Sequence, residues 1–358
     1  MTAMTVSTTA GPPAMRTTQA VVLARRPTGA LVAEDLDLRP IPLPEPAAGH
    51  ALVRNEVMSL DPSTRGRMDA TEKVYTTNFG VGDPLDGWAV GHVVRSRAAE
   101  LPVGATVRHR LGWREFAVVD AAGARVIDVG WTGFTAPAAQ WLSALGQTGF
   151  TAYVGLTRIG ELAVGDTVLV SAAGGGVGSM AAQLARLLGA GRVIGIAGGR
   201  RKCAWLRTEL RLDGVLDHRA DDLRDGLNRL APDGVDLYFD NVGGEALTAA
   251  LHGMRPGGRI TLCGMASTMQ AARGEQPGIG ELVEAVLRRL TLRGFIVRDH
   301  EDLREEFESR VSGWLAAGDL VDRCTEIDGL ARAPEALVGL LSGAHLGKAL
   351  VRITPEAP

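Results

Sequence analysis

The chain has 358 residues, 46% of them hydrophobic, enough apolar material for the cores of two ordinary domains. Its formal charge of -3, without a long basic run, leaves no electrostatic footprint for nucleic acid or an anionic membrane surface. No apolar stretch is long enough to span a bilayer, and the three scattered cysteines, Cys203, Cys263 and Cys324, argue against a disulfide framework and for a reducing cytoplasm.

Residues 1–17, MTAMTVSTTAGPPAMRT, lack the apolar block of a signal peptide and read as a disordered leader. From Gln19 to about Ile127, short alternating strands such as HALVRNEVMSL and REFAVV, separated by Gly and Pro turns, predict a small antiparallel barrel-like unit. After Trp141 the rhythm changes. The apolar strands DTVLVSAA, RVIGIAG, GVDLYFDNV and GRITLCG alternate with the helical patterns GSMAAQLARLLGA, KCAWLRTEL and ALTAALHGM. Such alternation predicts a parallel sheet covered by helices on both faces. Beyond TLRGFIV the pattern predicts an exposed helix near Asp302 to Ala316, then a strand, a helix and a final strand ending in KALVRI.

The first motif with chemistry is Gly174, Gly175, Gly176 and Gly178, between a strand ending near Ser171 and a helix starting near Val177. Glycines there let the backbone approach a pyrophosphate, whose charge the helix N-terminus favours. A tight turn packing strand on helix would use the same residues. The strand before, the helix after and a following strand at Arg192 to Ala197 favour a dinucleotide. At the end of that second strand an NAD site would carry a ribose-binding carboxylate, whereas here the chain reads Gly198, Gly199, Arg200, Arg201, Lys202. Cations and small residues accept a 2′-phosphate through charge-assisted hydrogen bonds, which favours NADPH over NADH. Only Lys73, Lys202 and Lys348 are lysines, so Lys202 says more than any one arginine.

The runs IPLPEPAAGHALVRNEVMSLDPSTRGRM, LGWREFAVV, LSALGQTGFTAYVGL, SAAGGGVGS, YFDNVGGEAL, CGMAS and RGFIV together resemble the zinc-free double-bond reductase branch of the medium-chain dehydrogenase/reductases. That branch includes prostaglandin, alkenal and curcumin reductases, and the likeness runs from about Val21 to Ile353. It implies a Rossmann doubly wound parallel sheet domain, 142–312, inserted in a GroES-like antiparallel β-barrel catalytic domain, 18–141 and 313–358. It also implies an interdomain active site and a homodimer paired through TLRGFIV. Cofactor contacts would fall on Gly175, Gly176, Val177 and Gly178, on Gly198 and Lys202, on Asn241, on Cys263, Gly264, Met265 and Ser267, and on Phe295, Ile296 and Val297. His218 stands where the branch has a tyrosine near the 2′-phosphate. His345, followed by Gly347, stands where it has an asparagine. Both keep a hydrogen-bond donor.

The implied reaction is NADPH-dependent reduction of the C=C bond of an α,β-unsaturated ketone or aldehyde. The catalytic residue is open: the two tyrosines of the branch's pocket correspond to Ser63 and Met269 here. Water or the nicotinamide 2′-hydroxyl would then deliver the proton, Tyr75 would swing in from its loop, or the protein serves another reaction on a larger substrate. Trp88 replaces a glycine and would fill part of the cleft. Arg65 and Arg67 fit either an acidic substrate or structural ion pairs. With no cysteine before Cys203, the thiolate and imidazole zinc site of alcohol dehydrogenases cannot be assembled around His92, and no metal is expected. The competing functions are a quinone reductase, a tailoring enzyme for a bulky secondary metabolite, and a non-enzymatic NADPH sensor.

Overall fold

The structure is a computed structural model that describes residues 17–70, 76–127, 136–269 and 281–353. Tyr75 and the leader up to residue 16 lie outside the described residues.

The first half is antiparallel. β1 (Thr17–Leu23) pairs with β2 (Leu36–Pro42) as a two-stranded ribbon. β3 (His50–Ser59) follows, then the single turn α1 (Ser63–Gly66), β4 (Ala89–Ser96), β5 (Thr106–His109), β6 (Phe116–Asp120) and β7 (Ala124–Val126). β3 is long enough to serve two partners on one edge. Its first half pairs with β6, its last residues pair with a strand from the far end of the chain, and β4 takes its other edge.

The parallel half begins with α2 (Gln147–Val154) and β8 (Thr167–Val170). Then come α3 (Gly176–Leu187), β9 (Arg192–Ala197), α4 (Arg200–Thr208), β10 (Gly214–Asp217), α5 (Leu223–Leu230), β11 (Val235–Asp240), α6 (Gly244–Gly253) and β12 (Met254–Leu262). α7 (Val283–Leu287) and β13 (Thr291–Gly294) complete it. The six strands are all parallel, in the order β10-β9-β8-β11-β12-β13. Chain order therefore reverses between β8 and β11, which is the doubly wound arrangement with a crevice at the switch point. Val168, Leu169 and Val170 of β8 are fully buried, as a strand covered on both faces requires.

After α8 (Arg304–Ala317), the chain returns to the antiparallel sheet through β14 (Cys324–Asp328), α9 (Ala333–Leu341) and β15 (Lys348–Arg352), the strand that pairs with the end of β3. Two features differ from the sequence reading. The strand β10 and helix α5 were passed over, because GVLD is too short to show a period. The helix expected to be exposed is α8, and one side of it is core. Phe307, Val311 and Leu315 are buried, and the Phe307 ring lies 5.2 Å from Phe150 and 5.7 Å from Tyr153.

Candidate functional site

At the switch point the loop after β8 turns tightly into α3. A Cβ on Gly178 would stand 2.7 Å from the carbonyl carbon of Ala172 and closer still to its oxygen, so only glycine lets the helix approach the strand this closely. A Cβ on Gly174 would meet the Lys202 stem at 2.9 Å, and one on Gly176 would meet Thr148 at 3.1 Å and Lys348 at 3.3 Å. The C-terminal turn closes the loop from the other side. Gly347 donates its N–H to the Gly174 carbonyl at 2.9 Å and forms a parallel bridge with Gly175.

Of the cations that follow β9, Lys202 reaches this loop, while Arg200 and Arg201 are exposed. Lys202 has no acceptor among the described residues, and a Cβ on Gly343 would lie 3.7 Å from its Nζ and 3.9 Å from Arg219 Nη2. Burial and the neighbouring charges of Arg219 and Arg201 hold the Lys202 pKa below the usual lysine value. The His218 ring sits against Gly198, where a Cβ would be 2.5 Å from its Nε2. Asp217 accepts from the backbone N–H groups of Gly199 at 2.8 Å and Arg219 at 3.1 Å, and so shapes the turn. A half-buried cation among like charges fits an arriving anion.

The loops after β11 and β12 are tied together by Asp240, which is fully buried at the end of β11. Its carboxylate accepts from Ser171 Oγ at 2.9 Å, Tyr238 Oη at 2.7 Å, Val242 N at 2.9 Å and Gly243 N at 3.0 Å. Asn241 in turn donates to the Ser171 carbonyl at 2.8 Å, and Cys263 and Gly264 donate their N–H groups to the Asp240 carbonyl. Ser267 Oγ donates to the Val242 carbonyl at 2.6 Å, and a Cβ on Gly243 would stand 2.6 Å from the Met265 methyl. Burial and the Asp240 charge push the Cys263 thiol up to about 12, so it stays protonated at neutral pH. Phe295 packs against Gly155 from β13's end, and Ile296 and Val297 follow it at half exposure.

Other sequence candidates are placed as follows. Ser63 is exposed in α1, and Met269 is half-buried just after Thr268. Trp88 packs near two guanidiniums, with Arg108 Cζ 5.1 Å and Arg110 Cζ 5.3 Å from its ring. The His345 ring contacts the Ala336 carbonyl at 2.9 Å, so it faces α9 while its backbone neighbour Gly347 meets the glycine loop. Arg67 chelates Asp86 and Arg65 bonds Asp69 and the Gly29 carbonyl, which makes both structural. His92 hydrogen-bonds Thr106 at 3.2 Å and meets Glu56 at 3.0 Å. Among the described residues no group of three His, Cys, Asp or Glu side chains is placed to hold a metal ion. Arg219, Thr148 and Asp240 carry no signal in the sequence, and Lys348 stands out there only as a rare lysine after His345 and Gly347. Lys348 is buried and bonds Asp61 at 2.5 Å and the Leu60 carbonyl at 3.0 Å. Burial alone would raise the Asp61 carboxyl, but Lys348, together with Ser59 and Arg110, brings it below the usual carboxylate range.

The doubly wound sheet order and the glycine turn at its switch point define the class as a dinucleotide-binding α/β fold joined to an antiparallel sheet. Comparison with known proteins narrows this. Residues 19–127 match the family model "N-terminal domain of oxidoreductase" and residues 176–313 match "Zinc-binding dehydrogenase". The chain is 35% identical over 347 residues to the NADPH-dependent curcumin reductase of Escherichia coli, covering 94% of this chain and 96% of that protein. It is 33% identical over 343 residues to the 2-alkenal reductase (NADP(+)-dependent) of Nicotiana tabacum, covering 94% and 97%. The solved structure of CurA in complex with NADPH from Vibrio vulnificus superposes with a TM-score of 0.87 at 36% identity, covering 94% of this chain and 99% of that one. The chain belongs to the double-bond reductase branch of the medium-chain dehydrogenase/reductases.

Proposed function

We propose that the protein is an NADPH-dependent reductase of the C=C bond of α,β-unsaturated ketones and aldehydes. The observation that carries the cofactor half is Lys202, a half-buried cation without a carboxylate, set beside Arg219 at the end of the second strand. The relatives' named activities support the substrate half. The free N–H groups at the start of α3 and the glycine cradle would hold the pyrophosphate. Lys202 and Arg219, with His218 beside them, would hold the 2′-phosphate, and the loops tied by Asp240 would wall the nicotinamide. When bound, NADPH supplies a hydride to the substrate's β carbon.

The chain's own part is orientation and exclusion. Trp88, with the guanidiniums of Arg108 and Arg110 close to its ring, would wall the substrate cleft. Met269 carries no transferable proton and Ser63 is exposed, so neither takes over the role of the branch's tyrosines, and water or the nicotinamide 2′-hydroxyl would deliver the proton to the α carbon. The test is NADPH oxidation, with a chelator present, across enones, enals and quinones of increasing bulk, with products identified by mass and NMR. Saturated ketones are the expected products, and NADPH binding without turnover of any acceptor would refute the reading.

Two organisational proposals accompany it. The nucleotide domain spans 142–312, flanked by catalytic segments 18–141 and 313–358. The protein is a homodimer in the cytoplasm, paired through β13, which is the edge strand of its sheet. Val283, Val286 and Leu287 on α7 next to it are 58%, 74% and 62% exposed, an apolar surface that a second copy would cover. Val286→Asp should halve the mass measured by light scattering; an unchanged mass would exclude this face. Among the described residues no helix is long and apolar enough to cross a membrane.

A further inference from the structure

Arg108 and Arg110 lie two residues apart at the end of β5, so their side chains leave the same face of the strand, while His109 points into the core. Among the described residues, each carboxylate that acts on the two arginines is already taken. Around Arg110 stand Asp86 and Asp61. Asp86 is chelated by Arg67, and Asp61 is held by Lys348 and by Ser59 at 2.6 Å. Around Arg108 stand Glu308 and Glu301. Glu308 is gripped at 2.6 Å and 2.7 Å by Arg125, and Glu301 at 2.9 Å and 2.8 Å by Arg304.

What remains is two guanidiniums without a carboxylate of their own among the described residues. The one hydrogen bond of Arg108 is a 3.5 Å contact to the Leu145 carbonyl, at the limit of a real bond. Arg108 is buried, and desolvation together with Arg304 brings its pKa down to about 10, so it remains a cation at neutral pH. Arg110 is half-buried and also faces Arg298, in the segment that follows Val297. Trp88 shields both cations with its ring, but a ring face gives planar N–H forks nothing to bond in their own plane. Desolvated, unpaired guanidiniums are costly unless a ligand completes them, and the group that matches a guanidinium fork in shape and charge is a carboxylate.

We propose that Arg110, backed by Arg108 and the Trp88 ring, is an anion subsite on the wall of the substrate cleft, and that the preferred substrates are enones carrying a carboxylate remote from the reacting double bond. This rests on the enone-reductase reading. It makes Arg110 a specificity-determining residue.

The test compares three probes of one skeleton: 4-phenylbut-3-en-2-one, its para-carboxylate and the methyl ester of that acid. The acid should show a KM about tenfold below that of the ester, and Arg110→Gln should bring the ratio of the two to about one, with Arg110→Lys keeping part of the preference. Equal KM values for acid and ester in the wild type, or a preference that survives in Arg110→Gln, would overturn the proposal. If none of the three is reduced, the enone reading fails separately. Calorimetric binding of the acid against the ester to the NADPH-loaded protein then decides the subsite: tighter acid binding lost in Arg110→Gln supports it, and equal binding refutes it.

Discussion

Replacing Lys202 by methionine keeps the stem that packs beside Gly174 and removes only the charge. In the cofactor-free protein that charge is unfavourable, since burial and then Arg219 and Arg201 lower its pKa. A lysine whose pKa is lower folded than unfolded penalises the folded state wherever both forms are charged. The penalty disappears as pH rises past the ordinary lysine value near 10.5. At neutral pH Lys202→Met should therefore raise the melting temperature of the cofactor-free protein. With NADPH the sign reverses, because a charge-assisted bond to the 2′-phosphate is lost. Such a bond is worth about 1.5–3 kcal/mol, so the ratio of KM for NADPH to KM for NADH should rise roughly 10- to 100-fold. Steady-state kinetics with both cofactors and thermal melting without either make the assay. An unchanged ratio, or a lower melting temperature, would refute the assignment of Lys202 as a charge held for a ligand.

Gly178→Ala places a methyl group against the Ala172 carbonyl, a backbone contact that cannot yield cheaply. It should cost about 3 kcal/mol in urea unfolding and weaken cofactor binding together with stability. Asp322 is raised from 3.8 to about 6 by burial, against hydrogen bonds from Ser143, Ala144 and Cys324. Its ionisation therefore destabilises the folded protein progressively from about pH 4 to pH 6. Asp322→Asn should gain up to about 3 kcal/mol at pH 7.5 and almost nothing at pH 4. Trp88→Gly should shift the kcat/KM optimum toward bulkier enones, and an identical substrate profile would show that Trp88 does not limit the cleft.

The parallel half was legible because its signals are local: glycines between a strand and a helix, and cations following the next strand. What escaped depends on partners distant in sequence. Asp240 reads as one more strand residue until folding brings Ser171 to its carboxylate. Arg219 was lost in an arginine-rich background, and only its approach to the Lys202 corner distinguishes it. Nothing in the sequence around Arg108 and Arg110 marks them out from the other arginines. That they lack carboxylates follows from pairings as distant as Arg125 with Glu308, which no spacing rule reports. The exposed reading of α8 failed because its charged residues outnumber its apolar stripe, although Phe307, Val311 and Leu315 keep helical spacing.

The bridge between Gly175 and Gly347 has a consequence for biosynthesis. All six parallel strands precede β15 in the chain, so the nucleotide domain can emerge from the ribosome and collapse while the segment that flanks its glycine loop is still being translated. Until β15 joins β3, the Gly174 carbonyl lacks its partner and Lys348 is not yet stacked by Gly176. With the glycine cradle holding the pyrophosphate as proposed, tight capture of the dinucleotide would follow completion of the antiparallel sheet.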